Sequence, residues 1–577
     1  MNAGLVDPLF TVIMEDHASS DAVLKLVCAM APRTVMKVRP TPASSRLHSK
    51  RRPTDTSPSS QPALVVRHLQ TLLATRAFAN LSRSSPLREP ILLVIRALFD
   101  MSPATCCQPV HIEPLIPVYG GSMDVADRTL LSIFHLFERH RRISVATLLA
   151  TWSPEGPDAA GAIRRALDIV LALDPRRMLA SCADFPLRRS VDLQSEIASK
   201  QAYPDADEVY DPVYVLSVFA MALAQGSLGG GYELSSLDWV EVLRSNVLGL
   251  AACALSSRMA DMRELGSFVL AKSFAIIKET DFQEQTQVLY TLFLLRHACP
   301  PPAAPSRTPH RAPSMITLFF AHTLRAIGTP SSFLYPATSR FLLQRPQVDA
   351  GDVPLLYSML YSSDDEWKQE RGWMIRLVRD GMQSAQVRPH SAPSSLFCRF
   401  TLTRIMHRFL QDWRILQRRH TFSLLISLHQ STGDAVAQRS IVEAIANMTR
   451  NQTACAALVR REGLLPWLAI QMGATGGDPS AAVDADAQTA LLDDVSATSI
   501  DPEVVWLRLA ENAVVNVGLE DAARAARKPD TVIRAAWRGE ILGLLLKAVQ
   551  SSGASRTPTP MPPSLVADPT SRLSPLH

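Results

Sequence analysis

One stretch of the chain concentrates side chains that could bind phosphate. Between Arg388 and Arg419 the sequence holds seven arginines and a single acidic residue, Asp412. Apolar residues recur there at helical spacing, which predicts a basic amphipathic helix able to follow RNA phosphates and release their counterions. The candidate RNA-contact residues are Arg404, Arg408, Arg414, Arg418 and Arg419. The alternative is an ordinary solvated helix face.

The charge of the whole chain neither requires nor excludes nucleic acid as a partner. The net charge is +5, which is modest for 577 residues. A dedicated nucleic-acid-binding domain is expected to be more basic than this. Arginine greatly outnumbers lysine among the 59 basic residues, and a coding-composition bias explains that as readily as an adaptation to phosphate.

No enzyme signature is present in the sequence, which has no HExxH, GxSxG or GxxxxGK[ST] motif. His135, Glu138 and His140 are close together, but their spacing fits the exposed side of an amphipathic helix. A cryptic catalytic site is the rival hypothesis, and stoichiometric zinc or iron would support it. We therefore expect a protein that is not an enzyme, with no cofactor and no metal.

The eight cysteines are typical of an intracellular protein with reduced thiols. They are scattered, form no CxxC pair and have no histidine at zinc spacing, so we expect buried, small apolar side chains. Apolar residues make up 47% of the chain and charged residues 20%, as in soluble folded proteins. The N-terminus lacks the pattern of a signal peptide. The longest charge-free apolar segment, 213–224, is shorter than the roughly 20 residues that span a bilayer.

The stretch YSMLYSSDDEWKQERGWMIRLVRDGM, residues 357–382, predicts one helix in detail. Ser363 and Glu366 have the spacing of a capping box, so the helix is predicted to begin at Ser363. Trp367, Met374, Val378 and Gly381 share one face, and Trp373 lies off that face, which predicts a helix covered on two sides, as in a stack of helices. Trp367 is predicted to be a core residue, so Trp367→Ala should cost roughly 3 to 5 kcal/mol.

Helical hairpins with short turns predict the architecture. Segments 237–255, 259–277 and 281–297 are helical, closely spaced and show no strand pattern. Upstream, Asp211 and Pro212 form an N-cap followed by proline at the first helical position, before an apolar helix that should be buried. A helix over 122–139 should bury Ala126, Leu130, Ile133, Phe134 and Phe137. The predicted fold is all-α, an armadillo/HEAT-like α-solenoid of degenerate helical hairpins with disordered insertions.

Composition divides the chain into helical regions and linkers. The predicted divisions are a short N-terminal helical segment at 1–38, a disordered linker at 39–62, a helical-repeat region at 63–298, a Pro-rich insertion at 299–313, continued helical repeats at 314–472 with an insertion at 386–411, an acidic linker at 473–500, C-terminal helices at 501–550 and a disordered tail at 551–577.

Six segments in the same order resemble the C-terminal domain of the nucleolar pre-ribosomal-associated (unhealthy ribosome biogenesis) protein family. They are SPLREPILLVIRALF (85–99), YGGSMDVADRTLLSIFHLFE (119–138), VYDPVYVLSVFAMAL (209–223), RSNVLGLAACALSS (244–257), residues 357–382 quoted above, and RRHTFSLLISLHQS (418–431). The signature residues in them are Tyr119, Asp211, Pro212, Ser363, Glu366, Trp367 and Trp373. The resemblance departs from the family pattern at 386–411, where the chain has extra residues that could be a retained intron or an idiosyncratic loop.

This resemblance implies a non-catalytic scaffold in the nucleolus, acting in early maturation of large-subunit precursors and in rRNA processing. The implied partners are pre-ribosomal particles, assembly factors including a DEAD-box RNA helicase, precursor rRNA and small nucleolar RNA, with no membrane and no small-molecule substrate. Family members are much longer, so the chain is expected to be their C-terminal portion, either a short gene product or a truncated gene model. The alternative function is a helical-repeat adaptor for protein–protein interaction unrelated to ribosomes.

Overall fold

The computed structural model describes the helical parts of the chain. These are residues 60–79, 81–83, 85–143, 166–191, 206–227, 234–299, 309–344, 346–363, 366–382, 415–450 and 452–474, together with residues 149, 152, 203, 413, 509, 512, 513 and 543. Several of the predicted segments lie outside these residues. They are the segment 1–38, most of the linkers, the insertion 386–411, the tail and most of the predicted helices of 501–550.

Within the described ranges the secondary structure is helical. The helices are α1 Ser60–Leu73, α2 Arg76–Ala79, α3 Arg88–Met101, α4 Pro103–Cys106, α5 Pro109–Ile112, a 3₁₀ turn Glu113–Leu115, α6 Val125–Arg141, α7 Ala166–Leu171, α8 Pro175–Ala183, α9 Pro212–Ser227, α10 Ser236–Ser245, α11 Val247–Ala254, α12 Ala260–Glu279, α13 Gln285–Ala298, α14 Ser314–Ile327, α15 Leu334–Leu343, α16 Leu356–Leu360, α17 Trp367–Gly381, α18 Thr421–Ser431, α19 Ala435–Thr449, α20 Gln452–Arg461 and α21 Leu464–Ala474. In the same ranges β-type pairing is limited to an isolated antiparallel bridge between Ser122 and Tyr210. The all-α prediction is confirmed for this part of the chain.

The helices belong to two compact units. The described residues up to 382, with 413 and 415–419, form the first unit, and those from 420 onward form the second. The predicted repeat region 314–472 thus contributes to both. Stacking of the helices into an armadillo/HEAT-like solenoid stays a prediction.

Helix α11 lies at the centre of the first unit. It packs against α12 and α14, and every residue from Val247 to Ala254 is buried. Helix α9 packs against α7 and α12, and its residues Val213–Leu216 are almost completely buried, as its all-round apolar sequence predicted. Further along the chain, α14 packs against α17, and α16 against α17. The hydrophobic core therefore continues from helix to helix along the sequence.

The predicted helix over 237–255 is wrong in one respect, because it breaks into α10 and α11. Asn246 at the break has a φ of 62°, in the left-handed region that asparagine tolerates better than most residues. Its side-chain amide donates to Cys182 Sγ at 3.5 Å. The break turns the chain, so α11 can be buried on all sides.

Other predicted helix starts also need correction. Helix α6 begins at Val125 rather than Ser122, because Asp124 caps it by accepting from the backbone amides of Val125 and Ala126. The predicted face of α6, from Ala126 to Phe137, is buried and therefore confirmed. Helix α1 begins at Ser60, inside the predicted linker 39–62.

The second unit is a smaller group of helices in which α18, α19, α20 and α21 pack in succession. Trp467 of α21 is 5% exposed and its ring meets Phe422 and His429 of α18 edge-on, at centroid distances of 6.5 and 5.6 Å. Asn512 donates to the carbonyl of Ala446 at 3.3 Å. An aromatic core thus joins the first and last of these four helices.

Candidate interaction surface

The signature residues Tyr119, Asp211 and Pro212 lie together in the interior of the first unit. Asp211 caps α9 as predicted, because its Oδ1 accepts from the amide of Val213 at 3.0 Å and Pro212 is the first residue of the helix. The same carboxylate accepts from Nε and Nη2 of Arg189 at 3.1 and 2.7 Å. Both side chains of this ion pair are at most 1% exposed. Asp211 therefore fixes the start of α9 and neutralises a buried arginine.

A second buried arginine holds the loop before α6. Arg88 pairs with Asp127, and its Nη2 donates to the carbonyl of Val118 at 2.9 Å. Asp127 also accepts from the amides of Gly120 and Ser122, at 2.7 and 2.9 Å. The Arg88–Asp127 pair thus gives the backbone groups of this loop the hydrogen-bond partners that water would otherwise provide.

Tyr119 is the centre of an aromatic cluster. Its ring meets Phe134, Trp152 and Tyr214, with centroids 5.4, 6.2 and 5.2 Å away, and its carbonyl accepts from the Trp152 indole at 2.8 Å. Gly121 has a φ of +71°, and a Cβ there would lie 3.1 Å from the Tyr214 ring. Desolvation raises the pKa of Tyr119 and Tyr214 well above the usual value, so both phenols stay neutral. The aromatic cluster around Tyr119 therefore has a structural role.

The described residues offer little to a nucleophilic or metal-dependent mechanism. They contain no group of three or more His, Cys, Asp or Glu side chains placed to hold a metal ion. Burial raises the pKa of Cys107 to about 12 and that of Cys299 to about 11, so these thiols are protonated at neutral pH. His135 and Glu138 form a partly exposed ion pair on α6. No described helix is long and apolar enough to cross a bilayer.

Of the two tryptophans of α17, both predicted to be covered, only Trp373 is buried. Trp373 is 4% exposed and meets His322 edge-on at 5.5 Å, whereas Trp367 is 36% exposed. The predicted capping box is also wrong: Ser363 precedes the helix, and Glu366 occupies the N-cap position without a side-chain cap. Met374, Val378 and Gly381 are buried as predicted. Trp367 is the first residue of α17, so its ring has no preceding helical turn to pack on, and this explains its exposure.

Trp367 is flanked by cations. The Arg371 guanidinium lies 4.6 Å from the centroid of the Trp367 ring, and the Lys368 ammonium 5.7 Å from it. Arg371 also donates from Nε to the carbonyl of Leu360, at 3.1 Å, at the end of α16. One guanidinium therefore ties the exposed tryptophan to the neighbouring helix.

Helix α16 and the residue that follows it add two exposed tyrosines. Tyr357 is 44% exposed and Tyr361, one turn later, is 64% exposed. Tyr357 donates its hydroxyl to the carbonyl of Arg419 at 3.2 Å, and the Arg419 guanidinium lies 5.7 Å from its ring centroid. We call the residues of this region the aromatic–arginine surface: Tyr357, Tyr361, Trp367, Lys368, Arg371, Arg418 and Arg419.

The predicted RNA-contact arginines are only partly placed. Arg404, Arg408 and Arg414 lie outside the described residues. Arg418 is exposed. Arg419 is held by Asp352, with Nε 2.6 Å from Oδ1, and these hydrogen bonds raise the pKa of Arg419.

Sequence reasoning missed Tyr357, Tyr361 and Arg371 as parts of this surface. The spacing of four residues between Tyr357 and Tyr361, and between Trp367 and Arg371, was the available signal.

Comparison with known proteins gives one consistent family. A family model described as nucleolar pre-ribosomal-associated protein 1 matches residues 248–467, a range that includes the aromatic–arginine surface. Curated relatives named nucleolar pre-ribosomal-associated protein 1, from Mus musculus and Homo sapiens, are each 26% identical over 407 residues. The match covers 67% of this chain but 16% of each relative, so the chain spans about a sixth of their length. No solved structure matches the chain significantly. Over residues 248–467, and in its overall match to these two relatives, the chain is therefore similar to the nucleolar pre-ribosomal-associated protein 1 family.

Proposed function

We propose that this protein is a non-catalytic scaffold in ribosome biogenesis, acting in early nucleolar maturation of large-subunit precursors and in processing of their rRNA. The family match over residues 248–467 is the observation that carries the proposal. Nucleolar localisation follows from the family. The proposed partners are pre-ribosomal particles, a DEAD-box RNA helicase among other assembly factors, precursor rRNA and small nucleolar RNA.

The packing of the described residues supports a scaffold. Helices α11 to α15 are neighbours in sequence and in space, and each buries its apolar face against the next. Continued stacking of this kind would give the armadillo/HEAT-like solenoid that we propose for the chain. Such an array provides extended binding surfaces and requires no active-site pocket.

Direct contact with RNA is proposed through the arginines that follow the insertion. Arg418 and Arg419 lie beside Tyr357 at the surface of the first unit, and Arg404, Arg408 and Arg414 precede them in sequence. Guanidinium groups pair with phosphate oxygens through two parallel hydrogen bonds. Arg419 already makes such a pair with Asp352, so Arg418 is the more accessible of the two placed arginines.

Depletion and crosslinking test this function. Depletion of the protein in cells should change the levels of large-subunit rRNA precursors, and unchanged precursors would favour the unrelated helical-repeat adaptor. Crosslinking of the tagged chain to RNA, with the bound RNA sequenced, should recover precursor large-subunit rRNA at peptides near Arg418. Recovery in precursor particles without RNA crosslinks would mean that this part of the family binds proteins. Absence from the particles would refute the scaffold proposal.

A further inference from the structure

We propose that the aromatic–arginine surface binds unpaired nucleotides of RNA, with bases stacked on Tyr361 and Trp367 and phosphates held by Lys368, Arg371 and Arg418. This assignment rests on the proposed function, because it presumes that the chain contacts RNA directly. It adds a site and a binding mode that the arginine-rich sequence did not indicate.

Three aromatic residues of this surface, Tyr357, Tyr361 and Trp367, are exposed. Tyr357 lies in α16 and Tyr361 is the residue at its C-cap, and the Tyr361 amide donates to the Tyr357 carbonyl at 3.1 Å, so the two residues are one turn apart. Arg371 contacts the last carbonyl of α16 and the Trp367 ring. Tyr361 is the next residue after Leu360, so its backbone lies close to the guanidinium that contacts the Trp367 ring.

The charges around Trp367 are segregated. In an α-helix each residue turns by about 100°, so Lys368 and Arg371 lie about 100° and 40° to one side of Trp367, while Glu366 and Glu370 lie about 100° and 60° to the other. The hydrogen bond from Arg371 to Leu360 shows that the cationic side is the one next to α16. The side of α17 next to α16 therefore carries two cations, Lys368 and Arg371.

Two acids, Asp349 and Asp352, lie at the other end of this surface, and Asp352 is already neutralised. Both oxygens of Asp352 accept hydrogen bonds from Arg419, so this carboxylate repels phosphate less than an unpaired one. Arg418 is exposed beside this pair, and its Nη1 lies over Gly351. Cations thus occupy both ends of the row of rings.

Flat exposed rings between cations favour unpaired RNA over duplex RNA. In a duplex the base faces are stacked on each other, and a protein reaches mainly phosphates and 2′-hydroxyls. Unpaired bases can stack on Tyr and Trp irrespective of their identity, and guanidinium groups add cation–π attraction. An acidic protein segment would use the cations but would gain less from exposed rings.

Binding of a labelled oligouridylate to the full chain, titrated over a range of salt concentrations, tests the site. Stacking predicts that Tyr361→Ala and Trp367→Ala each weaken binding by about tenfold or more without changing its salt dependence, because no phosphate contact is removed. Arg418→Ala should instead reduce the slope of log affinity against log salt by about 0.7, the single-strand value for one phosphate. A duplex of the same length should bind more weakly than the oligouridylate and should be insensitive to Trp367→Ala.

Matched variants separate stacking from folding. Phe293→Ala removes an aromatic ring of α13 that is 43% exposed and lies outside the surface, so it should bind as the native chain does. Trp367→Phe and Tyr361→Phe keep a ring and should retain most of the affinity. Both alanine variants should keep the native melting temperature. If one of them unfolds, the phenylalanine variants and Arg418→Ala still test whether the surface binds RNA.

Three results would overturn the assignment. Native affinity in the double variant Tyr361→Ala/Trp367→Ala would disprove the stacking site while leaving direct RNA contact through the arginines intact. No binding of the native chain to single-stranded RNA, with normal recovery in precursor particles, would disprove direct RNA contact and the site but not the scaffold. Ring-dependent binding of polyglutamate in preference to oligouridylate would assign the surface to an acidic protein.

Discussion

Arg189 and Arg419 each hold an aspartate through two hydrogen bonds, but one pair is inside the protein and the other at its surface. The side chains of Arg189 and Asp211 are 0% and 1% exposed, whereas those of Arg419 and Asp352 are 40% and 24% exposed. In the interior the low dielectric strengthens the attraction between the two charges, and neither charge can be solvated if its partner is removed. At the surface, water and salt screen the attraction. Equal geometry therefore predicts unequal contributions to stability, and only the surface group can exchange its partner for a ligand.

The largest expected effect comes from the interior pair. Arg189→Leu leaves the Asp211 carboxylate buried without its counter-charge and should lower the free energy of unfolding by about 3 to 5 kcal/mol. Denaturant unfolding of the full chain measures this change. The double variant Arg189→Leu/Asp211→Asn removes both charges and keeps an acceptor for the Val213 amide, so it should recover much of the loss. A single variant as stable as the native chain would show that Asp211 reaches water.

The two tryptophans of α17 give the same comparison, between a buried and an exposed side chain, for apolar groups. Trp373→Ala removes a buried ring and should cost about 3 to 5 kcal/mol. Trp367→Ala removes an exposed ring and its contacts with Arg371 and Lys368, so it should cost less than about 1 kcal/mol. Comparison of the two melting temperatures checks this order, and a larger loss for Trp367→Ala would show that the Trp367 ring is buried, as the sequence alone predicted.

His322, which meets Trp373, gives the interior a pH dependence. Desolvation, with Arg325 and Arg376 nearby, lowers its pKa from 6.5 to about 3. Below pH 6.5 the unfolded chain binds a proton that the folded chain does not, so stability falls as the pH drops from 6.5 towards 3, by about 2 kcal/mol at pH 5. His322→Phe keeps a ring against Trp373 and should reduce the loss between pH 7 and pH 5 by that amount. An equal loss in both proteins would show that His322 is solvated.

Sequence patterns within a single helix predicted more of the structure than could be predicted about packing between helices. Asp211 and Pro212 together predict the start of α9, and the buried face of α6 follows from the spacing of its apolar residues alone. Nothing local distinguishes Trp367 from Trp373, because burial depends on where α16 ends and on which residue begins α17. The exposure of Tyr357 and Tyr361 likewise depends on packing between helices. The arginine-rich sequence indicated Arg418 and Arg419 but not the rings beside them.

The smallest expected effect comes from the surface pair. Asp352→Ala breaks both hydrogen bonds to Arg419, yet it should change the free energy of unfolding by less than about 1 kcal/mol, because both groups can be solvated instead. The exposed pair Arg244 and Glu241 gives a matched control in Arg244→Ala, with a similarly small effect. Because Asp352→Ala also removes a negative charge beside Arg418, it should strengthen oligouridylate binding at low salt and make that binding more salt-sensitive. A stability loss as large as that of Arg189→Leu would mean that the Arg419–Asp352 pair is sealed from solvent in the folded chain, and Arg419 would then be unable to turn towards RNA.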